Sequence, residues 1–216
     1  MDTLRVRYQT LEFGPSCLQV RTLRDVQQFA DPTGVAARLG ISSASWPVFG
    51  VIWDSGLVLA HLMFEKHVGD RRILEVGCGI ALASQVLNLR HADITATDRH
   101  PEAGNFLAEN SRLNQARAVP FVRTAWTDPV SELGEFDLIV GSDLLYEHPH
   151  VEELATFIEQ HAKPNCEVML VDPGRGHHAR FSKRMVTLGY SHSQTRPERT
   201  EFLPRPFRGR ILRYMR

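Results

Sequence analysis

The sequence predicts an α/β fold with a seven-stranded, mostly parallel sheet and helices on both of its faces. Two observations support this prediction. Short apolar segments typical of buried strands alternate with amphipathic segments of helical period. The end of the chain instead contains two strand-like segments in succession, "YSHSQTR" and "RGRILRYM", which predict a closing antiparallel hairpin. Such alternation places helices on both sides of a parallel sheet.

The central elements follow one another along the chain. The predicted strands are "RRILEVG", "DITATD", "AVPFVRTAW", "EFDLIVGSD" and "CEVMLVDP". The first helix begins near Ser55, and "ALASQVLNL" forms the next. Proline favours the first position of a helix, so "PEAGNFLAENSRLN" is expected to begin at Pro101. The last two helices are "HVEELATFIEQHA" and "HARFSKRMVTLG", the latter closed by Gly189.

The chain is expected to form one domain of residues 1–216, without internal repeats. Residues 1–45 are predicted to be an N-terminal extension that caps the core. Its first 22 residues alternate in short segments and predict a hairpin, and a less regular stretch follows to about Ser45. Residues 46–216 form the predicted core.

Composition favours no nucleic-acid or membrane partner. Lys and Arg together number 25, as do Asp and Glu, so no global field attracts anionic partners. Arginines crowd the end of the chain, where solvated strand edges are the preferred interpretation and a phosphate-binding face is the alternative. These arginines are Arg196, Arg199, Arg205, Arg208, Arg210, Arg213 and Arg216.

Cysteine usage indicates a reducing compartment. Three widely spaced cysteines, Cys17, Cys78 and Cys166, match neither a disulfide framework nor a zinc pattern. The chain contains no metal-ligand pattern, no apolar signal region and no apolar run long enough to span a membrane. We therefore expect a soluble, cytoplasmic monomer.

The stretch "EVGCG" reads as a strand followed by a glycine turn, which is typical of nucleotide binding. Gly77 and Gly79 fit the dinucleotide fingerprint, but Leu82 stands where that fingerprint needs a small residue. Glu75, at the strand end, suits the cationic amino group and sulfonium of S-adenosylmethionine. Asp98 ends the next strand, where a carboxylate can accept hydrogen bonds from both ribose hydroxyls. The turn therefore favours S-adenosylmethionine over a nicotinamide cofactor.

The fourth predicted strand runs into "GSDLLYEHP", opposite the glycine turn. Asp143 could hold an incoming ammonium and stabilise the charge of the methylated product. Tyr146 could wall the channel with its ring face against that cation. The stretch lacks the Asn-Pro-Pro-aromatic element of methyltransferases that act on adenine or glutamine nitrogens, which argues against those acceptors.

Together these motifs resemble the class I S-adenosylmethionine methyltransferases, which have a Rossmann-like fold. More narrowly, the chain is similar to methyltransferase family 16, the seven-β-strand protein lysine methyltransferases. The resemblance runs from about Trp46 to Gly176 and rests on "VIWDSGLVLA", "ILEVGCGIAL", "TDRHPEAGNFLAENSRLN", "TAWTDP" and "FDLIVGSDLLYE". The stretch "VDPGR" is also similar to the electron-transfer-flavoprotein lysine methyltransferase branch.

The resemblance implies roles for residues at matching positions. The glycine turn would contact the methionine and ribose portions, Asp98 the ribose hydroxyls and Trp126 the adenine. Trp53 would lie along the cofactor, near the helix that covers it. Asp143 and Tyr146 would form the acceptor gate and are the predicted catalytic residues. The predicted cofactor-binding residues are Trp53, Glu75, Gly77, Cys78, Gly79, Asp98, Arg99, Trp126 and Ser142.

Two positions depart from the family pattern. Ala81 stands where a third glycine is common, which should still allow the turn. Ala125 stands where an acid often binds the adenine amine, so that acid is either missing or replaced by Asp128.

Four further side chains have plain interpretations. Cys78 should pack as a small apolar group. His148 and His150 should be exposed at the start of a helix. Arg175, in "DPGR", lies at the predicted rim and is a candidate for substrate contact, with an ordinary rim residue as the alternative.

These observations lead to one preferred function and several alternatives. The preferred function is an S-adenosylmethionine-dependent methyltransferase that N-methylates an accessible protein lysine. A small-molecule amine or heterocycle is the alternative acceptor. A cofactor-binding adaptor without catalytic activity, with the arginine-rich end as its partner surface, is the third hypothesis. Leu82 disfavours a nicotinamide oxidoreductase.

Overall fold

A computed structural model describes residues 5–25, 31, 34–39, 41, 49–129 and 132–216. Its strands are β1 (Val6–Phe13), β2 (Ser16–Leu23), β3 (Arg72–Val76), β4 (Asp93–Asp98), β5 (Phe121–Arg123), β6 (Phe136–Ser142), β7 (Ala162–Asp172), β8 (Ser191–Thr195) and β9 (Arg210–Met215). Its helices are α1 (Val35–Arg38), α2 (Asp54–Glu65), α3 (Leu82–Leu89), α4 (Ala103–Leu113), α5 (His150–His161) and α6 (His178–Thr187).

The central sheet has seven strands in the order β5-β4-β3-β6-β7-β9-β8. The five strands from β5 to β7 are parallel, whereas β9 runs antiparallel to both of its neighbours. The predicted fold class is therefore confirmed, including the closing hairpin. The strand order reverses at β3, which lies between β4 and β6. A ligand cleft is expected beyond the carboxyl ends of strands at such a reversal.

Alternate residues of the strands supply the cores on the two faces of the sheet. On β3, Leu74 and Val76 pack with buried residues of α5 and α6. The intervening Ile73 packs on the other face, with buried residues of α2 and α3. Strands that bury apolar residues on both faces are typical of a parallel sheet that is covered on both sides.

The N-terminal hairpin forms as predicted and lies against α4. Strands β1 and β2 pair antiparallel from Val6 to Leu23. The side chain of Asn114 accepts a hydrogen bond from the amide of Gln19 (2.8 Å), and that of Asn110 accepts one from the amide of Arg21 (2.7 Å). The irregular stretch predicted up to Ser45, and Trp46 with it, lie largely outside the described residues.

The start of α4 differs from the prediction. The helix begins at Ala103, so Pro101 does not occupy its first position. Asp98 accepts a hydrogen bond from the amide of His100 (2.7 Å), and the ring of His100 accepts one from the amide of Glu102 (3.2 Å). These side chains hold residues 98–102 in a turn ahead of the helix.

The third predicted strand is shorter than "AVPFVRTAW" suggests, because β5 contains only Phe121–Arg123. Directly after it, the carboxylate of Asp128 accepts hydrogen bonds from the amide of Ala125 (2.7 Å) and the hydroxyl of Thr124 (3.2 Å). This local turn draws the chain away from the sheet. Within the described part of the chain, no helix is long and apolar enough to cross a membrane.

Candidate active site

A cavity of about 280 Å³ lies at the carboxyl ends of β3, β4 and β6, where the strand order reverses. Every residue predicted to bind the cofactor or to be catalytic contributes to its lining, whereas Arg175, the candidate for substrate contact, does not. The predicted residues that line it are Trp53, Glu75, Gly77, Cys78, Gly79, Asp98, Arg99, Trp126, Ser142, Asp143 and Tyr146. The fold thus brings together side chains from distant parts of the sequence, because parallel strands end at the same edge of the sheet.

The turn after β3 depends on glycine for two different reasons. Gly77 has a φ of 58°, and a Cβ atom there would lie 2.5 Å from Cδ2 of Leu144. Gly79 has a φ of 56°, but a Cβ atom there would meet no atom within 4 Å. The backbone at Gly79 therefore borders open space in the cavity. Ala81, the departure from the family pattern, adopts the left-handed conformation at a φ of 59° without breaking the turn.

Glu75 connects the end of β3 to the first turn of α3. Its Oε2 accepts a hydrogen bond from the amide of Ser84 (2.7 Å) and another from the hydroxyl of Ser84. The side chain is 4% exposed. Burial raises the pKa of Glu75 to about 7, against the lowering effect of the bonds from Ser84, and the nearby charge of Asp98 raises it further. Glu75 thus supports the turn as well as lining the cavity.

Asp98 is held by two backbone amides. Its Oδ2 accepts a hydrogen bond from Gly79 and its Oδ1 one from His100, both at 2.7 Å. Burial raises the pKa of Asp98, although these bonds favour the charged form. A carboxylate has about four acceptor positions, so two remain for a ligand. Glu75 and Asp98 together bring two buried acids to one wall of the cavity, which suits a cationic ligand with hydroxyl groups.

Cys78 and Leu82 pack as apolar residues at the edge of the cavity. The side chain of Cys78 is buried in the core on the α2 side, as predicted, while its amide donates to the carbonyl of Thr97 (2.9 Å). Leu82 begins α3 and is also buried. The turn therefore presents backbone, rather than the Cys78 thiol, to a ligand.

His150 was predicted to be exposed, and this prediction is wrong. The ring is 5% exposed, packs edge-on against Tyr146 and Trp126, and has its Nδ1 3.1 Å from the carbonyl of Leu144. Burial lowers the pKa of His150. His148 is exposed as expected and contacts Arg180. Packing by the two aromatic residues, which the sequence pattern does not reveal, buries His150 in the cavity wall.

His100 also lines the cavity and was missed by the sequence analysis. Its ring stacks on Phe49, with the ring centroids 3.8 Å apart. Burial lowers the pKa of His100 to about 4, so the ring is neutral near pH 7. Its position two residues after Asp98, in the loop at the carboxyl end of β4, is the signal that could have identified it.

The sequence left open whether Asp128 replaces the acid expected at the position of Ala125. Ala125 lines the cavity, but Asp128 is exposed and does not. Its carboxylate instead holds the turn after β5. Asp128 therefore does not supply the acid that the resemblance implied at the position of Ala125. Glu153 of α5 does line the cavity and was not anticipated.

Asp143 lines the cavity directly after β6, on the side of β3 away from β4. Its φ of 54° is left-handed, and its amide donates to the carbonyl of Val171 in β7 (2.9 Å). Its carboxylate accepts two hydrogen bonds from the guanidinium of Arg175, at 2.9 and 2.7 Å. Tyr146 lies nearby, and burial raises the pKa of its hydroxyl. The carboxylate predicted to meet an acceptor is thus already paired with a cation.

The lining side chains are suited to binding an organic cation and to aligning an acceptor. No cluster of three or more His, Cys, Asp or Glu residues suited to a metal ion occurs in the part of the chain that the structure describes. Carboxylates from three strand ends line the cavity together with aromatic rings.

Two solved structures of methyltransferases share this fold. Ribosomal protein L11 methylase from Lactobacillus delbrueckii subsp. bulgaricus matches with a TM-score of 0.62 at 20% identity, covering 79% of this chain and 82% of that one. Magnesium protoporphyrin IX methyltransferase (ChlM) from Synechocystis PCC 6803, solved with bound SAM, matches with a TM-score of 0.59 at 16% identity, covering 89% and 88%. At these identities the likeness concerns the fold alone.

Curated relatives are more similar in sequence but match only in part. Protein-lysine methyltransferase METTL21E from Bos taurus is 30% identical over 56% of this chain and 46% of its own length. Protein N-lysine methyltransferase METTL21A from Danio rerio is 30% identical over 59% and 63%. EEF1A lysine methyltransferase 3 from Mus musculus is 25% identical over 79% and 70%. The chain thus spans about half the length of the first of these relatives and less than two thirds of the second.

The match to a family model is broader and settles the relationship. The model described as lysine methyltransferase matches residues 42–185, which is more than half of the chain and includes the whole glycine turn, Asp98 and Asp143. This chain therefore belongs to the lysine methyltransferase family.

Proposed function

We propose that this protein is an S-adenosylmethionine-dependent methyltransferase that N-methylates a lysine of another protein. One observation carries the proposal: the carboxylates of Glu75, Asp98 and Asp143, from three adjacent strand ends, converge on a single cavity. Family membership supports the choice of reaction and of acceptor class. S-adenosylmethionine supplies the methyl group on a sulfonium, which is a strong electrophile.

The wall formed by β3 and β4 would bind the cofactor. The remaining acceptor positions of Asp98 suit the ribose hydroxyls, and the open space beside Gly79 lets the backbone come close to the amino-acid portion. Ionised Glu75 would balance the positive charges of the cofactor, which lie in a site of low dielectric. Trp126 would flank the adenine, and Trp53, at the start of α2, would lie along the cofactor.

The wall formed by β6 would align the acceptor. Methyl transfer requires an uncharged amine in line with the breaking bond, so positioning and exclusion of water supply most of the catalysis. Asp143 would hold the lysine ammonium as it enters. The amine would then release its proton to solvent before the transfer, and Asp143 would stabilise the positive charge on the methylated product. The ring of Tyr146 would close the side of the channel against that cation.

A cytoplasmic location fits the three thiols. Cys17, Cys78 and Cys166 are all free, which is the usual state of cysteines in a reducing compartment. We therefore propose that the protein is cytoplasmic.

The proposal can be tested without knowing the acceptor. The purified protein would be incubated with tritiated S-adenosylmethionine and a lysate from cells that lack it, half of which has been desalted. We expect a discrete labelled protein in the desalted half, with mass spectrometry placing the methyl group on lysine. Label that appears only with the small molecules would indicate a metabolite amine as acceptor. Absence of label, with S-adenosylhomocysteine binding retained in calorimetry, would favour a cofactor-binding adaptor.

A further inference from the structure

The contact between Asp143 and Arg175 joins a well-enclosed anion to a much more exposed cation. The Asp143 side chain is 10% exposed, whereas that of Arg175 is 45% exposed. The pair is bidentate, with Nε and one terminal nitrogen of Arg175 each donating to one carboxylate oxygen. Hydrogen bonding to Asp143 also raises the pKa of Arg175. The guanidinium therefore approaches Asp143 from the solvent side.

The loop that carries Arg175 has a glycine on each side of the arginine. Arg175 lies in the loop between β7 and α6, flanked by Gly174 with a φ of 101° and Gly176 with a φ of 96°. No atom lies within 4 Å of the position that a Cβ atom would take at either glycine. The loop is fixed at its start, where Asp172 accepts a hydrogen bond from the amide of Gly174 (2.8 Å). Glycines on both sides leave the arginine free to swing outward, because they adopt many backbone conformations at little cost.

We propose that Arg175 is a specificity-determining residue. Its guanidinium stays paired with the Asp143 carboxylate until a cationic acceptor displaces it. This inference rests on the proposed function and concerns the acceptor end of the same site. In the absence of acceptor, the guanidinium neutralises a carboxylate that is otherwise poorly hydrated. When a lysine side chain enters, its ammonium replaces the guanidinium, which moves into solvent on its glycine-flanked loop. Asp143 therefore has a cationic partner both before and after the acceptor ammonium binds.

The exchange favours cationic acceptors over neutral ones. A neutral group that displaced Arg175 would leave Asp143 buried without a counter-ion, which costs more than a hydrogen bond restores. A lysine ammonium carries no such penalty. The competition also lowers the apparent affinity for the correct acceptor, since only the fraction of molecules with Asp143 uncovered can bind it. For a half-exposed bidentate pair that factor is about five- to tenfold.

Kinetics of the Arg175→Gln variant test the competition. With the labelled acceptor protein purified from the lysate, we expect KM for acceptor to fall about five- to tenfold and kcat to change by less than about twofold. Arg175→Lys should give an intermediate KM, because an ammonium forms fewer contacts with the carboxylate. Lys183→Gln removes one exposed charge from α6 and serves as the matched control, with both constants unchanged. A lower kcat with KM unchanged or raised in Arg175→Gln would mean that Arg175 positions Asp143, and would overturn the proposal.

A second measurement does not depend on turnover. The protein is labelled with ¹⁵N-arginine and saturated with S-adenosylhomocysteine, and the NMR signal of the Arg175 Nε–H group then reports whether the ion pair with Asp143 is formed. The Asp143→Asn variant gives the position of this signal when the pair is broken. We expect n-butylammonium, a mimic of the lysine side chain, to move the signal towards that position. A signal that does not move would overturn the exchange. If wild-type protein labels nothing in any lysate, the proposed function fails, while this measurement still decides whether a cation displaces Arg175.

Discussion

Glu75 accepts two hydrogen bonds from Ser84, one from its backbone amide and one from its hydroxyl group. This contact fastens the end of β3 to the first turn of α3 across the glycine turn. An acidic group near the N-terminus of a helix is favourable, since the unpaired amides there carry partial positive charge. The same carboxylate lines the cavity, so a residue assigned to cofactor binding also maintains the shape of the site.

The buried Glu75 predicts a pH-dependent stability. Its pKa rises from 4.5 to about 7 on folding, so the folded state holds the proton more tightly than the unfolded state. The resulting stabilisation is complete below about pH 4.5 and is lost as the pH rises through about 7. Glu75→Gln keeps an acceptor for Ser84 but cannot ionise. From about pH 4.5 to 8, the free energy of unfolding of wild type should therefore fall by roughly 2 to 4 kcal/mol relative to the variant.

Urea unfolding of the two proteins, followed by circular dichroism across this pH range, measures the difference. Titrating groups that do not interact with Glu75, including His100, are common to both proteins and cancel. Glu135→Gln changes an exposed acid and should follow wild type at every pH. Parallel stability curves for wild type and Glu75→Gln would show that Glu75 does not titrate in this interval.

Asp98→Ala is expected to weaken cofactor binding. The substitution removes the only carboxylate that meets both the Gly79 and His100 amides, together with its two remaining acceptor positions. Loss of charged hydrogen bonds to the ribose should raise the dissociation constant of S-adenosylhomocysteine at least about tenfold. Isothermal titration calorimetry measures this constant. Asp93→Ala, at the exposed start of the same strand, is the control, and equal affinities in the two variants would contradict the ribose contact.

The two glycines of the turn should respond differently to alanine. At Gly77 the new methyl group would collide with Leu144 and strain the backbone, which together should cost about 2 to 4 kcal/mol of stability. At Gly79 only the backbone strain remains, about 1 to 2 kcal/mol, but the methyl group enters the cavity. Gly79→Ala should therefore lose more cofactor affinity than stability. Unfolding and calorimetry on both variants decide this, and equal stability losses would contradict the assigned contacts.

The positions of the acidic residues were predictable because they follow from topology. Glu75 and Asp98 end neighbouring parallel strands, and strands of a parallel sheet deliver their last residues to one edge. Once "RRILEVG" and "DITATD" are predicted to be strands, the two carboxylates are predicted to lie close together. The same reasoning placed Asp143 across the turn, at the end of β6. Their assigned roles remain predictions.

Features that depend on tertiary packing and loop conformation were not predictable. His150 looks exposed at a helix start, and only the approach of Trp126 and Tyr146 buries it. The pairing of Arg175 with Asp143 depends on the path of the loop after β7, which no periodicity in the sequence describes. The early end of β5 has a similar origin, because Asp128 stabilises a competing turn.

Asp143→Asn provides the sharpest test of the acceptor end. Asparagine keeps the shape of the side chain but has no charge to attract an ammonium or to stabilise the methylated product. Methyl transfer should fall at least tenfold, which corresponds to about 1.4 kcal/mol in the barrier. Affinity for S-adenosylhomocysteine should be unchanged, because the proposed ribose contacts come from Asp98, at the end of β4. Single-turnover transfer from tritiated S-adenosylmethionine to the purified acceptor measures the chemical step separately from product release.

The variant also frees Arg175, so that consequence has to be separated from the loss of charge. Arg175→Gln breaks the same ion pair while leaving the Asp143 carboxylate in place, and it is expected to keep kcat. A slow Asp143→Asn beside a fast Arg175→Gln would assign the defect to the carboxylate itself. If both variants slow equally, the intact pair is the functional unit. If Asp143→Asn turns over at the wild-type rate, Asp143 has no catalytic role, and the acceptor amine must be aligned by other residues of the β6 wall.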